Sequence, residues 1–275
     1  MISRRTILQA AAAAPLLATA RLGAAMEPSL EMKVQRLAWA GVRLQFANSV
    51  AFLDPLTDPD AWGPALKDRL VPVGDGHGDR YVLVSHRHPD HANIKTIPEA
   101  LGQGGVLIHG PGVQPQPGIR SRAADHFEPL ILNDFTATCV PAADGYGDPQ
   151  VSWIINGGGK RIIHCGDTLW HGHWWMIGRQ YGPFDAAFLP INGAKFKWRQ
   201  PVSDVPAVLT PEQAVAAALI MGAKRLIPIH FGVSRADGYA EAEDVRGAVL
   251  RAGKDRGVNV RFIEPGDWLD WEKTV

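Results

Sequence analysis

Two cysteines, Cys139 and Cys165, are all that the 275 residues contain. That is too few for a disulfide framework, and their separation rules out a CxxC metal site. They could pair only if their strands lay side by side in an oxidising compartment; otherwise they are small buried apolar residues. Net charge is also lacking, since 28 Lys and Arg balance 28 Asp and Glu. A chain without basic excess gives no electrostatic reason to expect nucleic acid as a partner. No repeat with a period of about 20 to 50 residues and no low-complexity linker divides the chain. An apolar fraction of 46% with 20% charged residues is that of an ordinary globular domain, which removes the disordered and fibrous classes.

The chain opens on Arg4-Arg5, followed by an apolar stretch from Ile7 to Ala20 broken by Gln9, Pro15 and Thr19. Its length of about 14 residues falls short of the roughly 20 that a bilayer span requires, so no stable membrane span is expected. A charged start, a moderately apolar middle and small-residue patterns at Ala18-Thr19-Ala20 and Gly23-Ala24-Ala25 read as a cleavable export signal. The paired arginines resemble the twin-arginine type, which carries folded proteins. The expected division is therefore an export segment over residues 1–25 and a single domain over 30–275, with a periplasmic or secreted destination. Cleavage after Ala25 would remove Arg4, Arg5 and Arg21 and no acid, leaving a mildly acidic remainder.

Beyond that segment, short apolar runs predict a meander: Lys33 to Trp39, Val42 to Phe46 and Val50 to Leu53, closed by Asp54-Pro55. A Pro/Gly-rich loop runs from Pro55 to Gly78, and Tyr81 to Val84 then reads as a strand buried on both faces. Further strands are expected at Val106 to His109, Phe135 to Val140, Val151 to Ile155, Arg161 to His164, Ala186 to Leu189 and Leu226 to Ile229. Asn156-Gly157-Gly158-Gly159 marks a hairpin. Thr210-Pro211-Glu212-Gln213 supplies a capping residue, a proline at the first helical position and a glutamine three after the cap. Gly222 is the expected stop of that helix, and a second helix is expected over Glu241 to Arg251, ending at Gly253. Many strands first, then strands alternating with helices, imply an α/β fold of two packed sheets with helices outside.

Chemistry concentrates in Ser85-His86-Arg87-His88-Pro89-Asp90-His91, directly after the buried strand. Three histidines and an aspartate within six residues of an irregular loop are hard to explain by packing. Imidazole nitrogen and carboxylate oxygen are common metal donors. His86 and His88 can face one way while Asp90 and His91 face another, so one short loop can serve two metals.

This segment resembles the HxHxDH hallmark of the metallo-β-lactamase superfamily. The likeness is closest to the subgroup of ascorbate-phosphate lactonases and N-acyl-phosphatidylethanolamine phospholipase D. Supporting segments are Trp39-Ala40-Gly41, Asp54-Pro55, Cys165-Gly166-Asp167-Thr168, Phe188-Leu189-Pro190-Ile191 and Pro228-Ile229-His230-Phe231-Gly232. The resemblance implies a four-layer αββα sandwich holding two divalent metal ions, zinc or manganese, with iron as a further candidate. It implies Asp167 as the bridging ligand and His230 as the last ligand. One position departs from the pattern: relatives carry a histidine in a Pro-Ala-x-His segment, where this chain has Pro141-Ala142-Ala143-Asp144. Either Asp144 binds the metal and makes the site harder, or the first metal is weakened and only one is held firmly. Two cations would lower the pKa of an intervening water to give a hydroxide nucleophile. The resemblance places Asp90 as the catalytic residue that orients that water and carries a proton to the leaving group.

Leu169-Trp170-His171-Gly172-His173-Trp174-Trp175 reads two ways: an aromatic wall in which His171, His173 and Trp174 meet substrate, or a helix start whose tryptophans pack against the sheet. Lys195-Phe196-Lys197-Trp198-Arg199 reads as a receptor for an anionic group, with Lys195 as a substrate contact, or as a solvated loop. His164 reads as a buried residue rather than a ligand, and His77, His109 and His126 as bystanders. The leading functional expectation is metal-dependent hydrolysis of an ester-like bond, a lactone or phosphodiester, in a small-molecule or lipid-like substrate. The alternatives are an iron-dependent oxidoreductase on the same fold and a non-catalytic metal-binding protein.

Overall fold

The computed structural model describes residues 31–74, 78–234 and 236–273; the export segment expected at 1–25, and His77, lie outside them. Strands β1 (Lys33–Arg36), β2 (Val42–Phe46) and β3 (Ser49–Leu53) form an antiparallel meander. Next come β4 (Asp79–Val84), α1 (Thr96–Leu101), β5 (Val106–His109) and β6 (Ser121–Ala123), with β3 to β6 mutually parallel. The strand order of this sheet is β1-β2-β3-β4-β5-β6.

The second sheet begins with β7 (Pro129–Leu132), β8 (Phe135–Pro141), β9 (Val151–Gly157) and β10 (Lys160–His164), all antiparallel. The β9–β10 turn places Gly158 and Gly159 at φ 52° and 69°, a two-residue reversal with left-handed backbone at both positions that favours glycine. After α2 (Trp174–Tyr181) and β11 (Ala186–Pro190) come the short β12 (Lys195–Phe196), α3 (Pro211–Ile220), β13 (Leu226–Ile229), β14 (Tyr239–Ala240) and α4 (Val245–Arg256). The second sheet has the order β13-β11-β10-β9-β8-β7, while β12 and β14 pair with each other beside it.

Side-chain alternation sorts the apolar residues into layers. Leu53, Leu83 and Ile108 of the first sheet meet Phe135, Trp153, Phe188 and Ile227 of the second in the inter-sheet core. The opposite face of the first sheet, including Val82 and Val84, packs on Ile97 and Leu101 of α1. The opposite face of the second, including Ile154, Ile163 and Leu189, packs on Trp174, Val215 and Val249 of the other helices. β4 thus sends Leu83 to one core and its neighbours to another, which is why it reads as an unbroken apolar run. The result is the expected four-layer αββα sandwich. α3 starts as expected, with the Thr210–Gln213 capping box formed in both directions. Its small residues Ala214, Ala217 and Ala218 are buried, letting it lie close between the sheet and its neighbours α2 and α4.

Several boundaries differ from expectation. β1 stops at Arg36 rather than Trp39, because Trp39 takes φ 59°. The last helix begins at Val245, with Asp244 as its cap, and ends at Gly257 rather than Gly253, since Glu241 is engaged elsewhere. The cysteines are both free and buried; Cys139 joins the inter-sheet core and Cys165 the helix-side core, so they face different layers. Among the described residues no helix is long and apolar enough to cross a membrane.

Candidate metal centre

Four strands, from both sheets, deliver their C-terminal ends to one edge of the sandwich. β4 leads into the loop carrying His86, His88, Asp90 and His91; β8 leads to Asp144, β10 to Asp167 and β13 to His230. Crevices outside the carboxyl ends of strands are where open α/β sheets bind ligands. His86, His88, Asp144 and Asp167 each offer a donor atom within 4.8 Å of the others, and Asp90, His91 and His230 do the same beside them. Asp167 lies between the groups: its Oδ1 is 3.6 Å from His86 Nδ1, and its Oδ2 is 3.8 Å from His230 Nε2 and 4.0 Å from His91 Nε2.

The neighbours of each histidine decide which nitrogen is free. Buried Asp54 accepts from the Ser85 amide (2.7 Å), the Ser85 hydroxyl (2.6 Å) and His91 Nδ1 (2.8 Å), leaving His91 Nε2 toward the centre. Having given its proton to Asp54, Ser85 Oγ accepts from His86 Nδ1 at 3.0 Å, which leaves His86 Nε2, 2.8 Å from His88 Nδ1. His88 Nε2 donates to Asp148 Oδ2 at 3.0 Å, so its Nδ1 is the free atom. Carboxylate and hydroxyl partners of this kind fix ring orientation and tautomer for metal binding. Trp39 Nε1 donates to Asp90 Oδ2 at 3.1 Å. Asp144 Oδ2 is taken by the Tyr146 and Asp148 amides, each at 2.9 Å, which leaves Oδ1, 3.9 Å from His88 Nδ1.

Backbone strain gathers here too. Trp39, Asp54 and His230 have φ of 59°, 41° and 55°, a left-handed region costly for residues with a Cβ and concentrated at functional sites. Glu241 holds the turn after His230 by accepting from the Gly232 and Val233 amides at 3.0 and 2.9 Å.

The donor set fits divalent cations. His91 Nε2 and Asp167 Oδ1 are buried with no hydrogen-bond partner, a cost that a bound cation would remove. Burial pushes Asp144 and Asp167 above the usual carboxylate range, and the charge of Asp167 pushes Asp144 further; such crowding calls for a positive charge between them. Burial, reinforced by their histidine neighbours, lowers His86 and His230 well below the ordinary imidazole value, keeping them in the neutral form that binds metal. His91 differs. Burial alone would lower it, but Asp90, Asp54 and Asp167 outweigh that and raise it to about 10, while burial of Asp54 is overcome by His91 and its fellow histidines to give about 2.

A cavity of about 610 Å³ opens over this floor, lined by His88, Asp90, Asp167 and His230 together with Trp62, Tyr146, Phe196, Trp198, Arg199 and Tyr239 among others. The substrate contacts expected at His171, His173, Trp174 and Lys195 are not among its lining residues. Trp174 is fully buried at the start of α2 in the helix-side core, and His171 stacks on it at 4.0 Å, whereas Trp175 is 50% exposed. Lys195 lines a neighbouring cleft of about 340 Å³. His164 is buried, with Nε2 donating to the Ala40 carbonyl at 2.7 Å. Asp148, Tyr146, Tyr239 and Glu241 went unnoticed in sequence because each is an isolated residue in a loop or short strand, with no spacing to mark it.

A model of the beta-lactamase superfamily domain matches residues 52–231. The chain belongs to this superfamily. An uncharacterized protein of Mycobacterium tuberculosis is 29% identical to this superfamily member over 209 residues, 69% of this chain and 54% of its own length; the chain thus spans about half the length of the first curated relatives it matches. A UPF0173 metal-dependent hydrolase of Thermus thermophilus is 31% identical over 217 residues, 72% of this chain and 83% of the relative. Two solved structures share the fold. A metallo hydrolase from the archaeon Ignicoccus hospitalis aligns with a TM-score of 0.64 at 22% identity, over 86% of this chain and 97% of that one. A diiron beta-hydroxylase from Streptomyces venezuelae aligns with a TM-score of 0.68 at 14% identity, over 87% and 54%.

Proposed function

We propose that this superfamily member is a metal-dependent hydrolase cleaving an ester-like bond, a lactone or phosphodiester, in a small or lipid-like molecule. The observation that carries the reading is the pair of filled donor groups meeting at Asp167 on the floor of a substrate-sized cavity. His86, His88 and Asp144 would hold one divalent cation, Asp90, His91 and His230 the other, and Asp167 would bridge them. Zinc or manganese suits this mixed donor set, with iron a further candidate. When bound, such cations lower the pKa of an intervening water and polarise the carbonyl or phosphoryl oxygen under attack.

The chain's own groups supply orientation. Asp54 and Asp148 hold the rings of His91 and His88 in the required tautomers. Trp39 fixes Asp90 Oδ2, so a proton accepted at Asp90 Oδ1 during attack can pass to the leaving oxygen. The aromatic side chains over the floor give a ligand apolar contact area beside it. The twin-arginine-like segment supports delivery of folded, metal-loaded protein to the periplasm or beyond.

Metal-free protein reloaded with zinc or manganese should hydrolyse members of a panel of lactones, phosphodiesters and phospholipids. Asp90→Ala should lower kcat by about 10²- to 10⁴-fold with an unchanged circular dichroism spectrum; retained turnover contradicts the role of Asp90. The carboxylate at 144 also suits iron and supports a second reading, an iron-dependent oxidoreductase, which oxygen uptake by iron-loaded protein without ester hydrolysis would select.

A further inference from the structure

The cavity above the metal floor has one wall made almost wholly of aromatic rings. Tyr146 stacks on Phe196 with ring centres 4.8 Å apart, Phe196 on Trp198 at 5.4 Å and 6°, and Trp198 on Tyr239 at 5.8 Å. Two of the rings are anchored: Trp198 Nε1 donates to the Asp237 carbonyl at 2.9 Å, and Tyr239 Oη accepts from Asn192 at 2.6 Å. It grades outward, from Tyr239 at 7% exposure near the floor to Trp198 at 50%. The Arg199 guanidinium lies 4.6 Å over the Tyr146 ring, which also neighbours the His88 ring at 5.3 Å, and no carboxylate among the described residues pairs with it. Arg87, the other cation of the cavity lining, is already bound to Asp148 at 2.8 Å.

We propose that this wall and Arg199 form a substrate subsite for a flat apolar group carrying a carboxylate or phosphate, so that the enzyme acts on small anionic esters or lactones with a planar acyl or leaving group. The inference rests on the hydrolase reading for the scissile bond, but the subsite itself is a binding statement. Parallel rings offer a face against which another planar group stacks, and an unpaired guanidinium already resting on a ring is preorganised for a two-pronged anion. In the metal-loaded protein the bound cations would offset the three carboxylates of the floor, and Arg199 adds a further positive charge at the wall to attract a ligand's anion. A cavity of about 610 Å³ suits a ligand of drug or metabolite size rather than a polymer.

Calorimetric titration of the metal-loaded protein with 2-naphthoate, neutral 2-naphthamide and acetate tests this without turnover. The naphthoate should bind about tenfold more tightly than the amide, and acetate far more weakly than either. Arg199→Gln should cut naphthoate affinity about tenfold and leave the amide unchanged, with partial rescue by Arg199→Lys. Trp198→Ala should weaken both naphthyl ligands roughly threefold or more; this half-exposed residue can be removed without unfolding, which an unchanged melting temperature verifies. Absence of naphthoate binding, equal binding of acetate and naphthoate, or indifference to Arg199→Gln overturns the subsite. Failure of every ester to turn over would instead count against the hydrolase reading, with the ligand affinities unaffected.

Discussion

Removing Asp144 should separate ligation from local folding. Its Oδ2 holds a turn through two backbone amides while Oδ1 faces His88, so the residue has two tasks on two atoms. Losing the partner of a metal ligand costs about 10- to 100-fold in affinity, and losing a ligand should cost at least the upper figure. Asp144→Ala is therefore expected to weaken the first metal about 100-fold, or about 2.8 kcal/mol. The same change has opposing effects on the metal-free protein. It removes hydrogen bonds to a charged acceptor, each worth roughly 1.5–3 kcal/mol, and relieves the crowding with Asp167 that, with burial, raises the pKa of Asp144. Metal-free melting should therefore fall by the loss of those hydrogen bonds less that relief, while the stabilisation gained on adding metal falls by the full affinity loss. Asp144→Asn keeps one acceptor oxygen, which can serve the turn or the metal but not both. Competition against a chromophoric chelator gives the affinities, and melting with and without metal gives the stabilities. Two equivalents bound to Asp144→Ala with wild-type affinity would refute the assignment.

Trp39→Phe keeps a buried ring but loses the hydrogen bond to Asp90; metal affinity of the second group should drop about 10- to 100-fold with folding intact, and an unchanged chelator titration would count against it. Trp153 is fully buried between the sheets and donates to the Val84 carbonyl at 2.9 Å, just before the histidine loop. Trp153→Ala should cost about 3–5 kcal/mol in urea unfolding; a loss below about 1 kcal/mol would show that the inter-sheet core is not as described. Burial pushes both Cys139 and Cys165 up to about 12, so neither thiol should react with Ellman's reagent at pH 8 until the protein is unfolded, and rapid labelling of the native protein contradicts that.

The metal loop was legible because its donors sit within one short segment, and Asp167 and His230 because the segments around them resemble the family's, at predicted strand ends. Asp144 was visible only as a departure from a pattern; what makes it competent, the two amides on Oδ2, depends on how the following loop curls. β6 escaped notice because all three of its residues are exposed, and α1 because six residues are too few to show a helical period. The tryptophans from 170 to 175 offered no means of choosing between wall and core, since that depends on which layer α2 covers. The aromatic wall was equally hidden: the β12–β14 pairing sets Phe196 beside Tyr239, and Tyr146 joins them from the loop after β8, 93 residues before Tyr239.

Titrating metal-free protein with manganese or zinc, while following bound metal and ester turnover in the same sample, bears most directly on the binuclear hydrolase. Two equivalents should bind, with turnover appearing as the pair fills and lost in Asp167→Ala. Saturation at one equivalent, or full activity without Asp167, would contradict a centre bridged by that carboxylate.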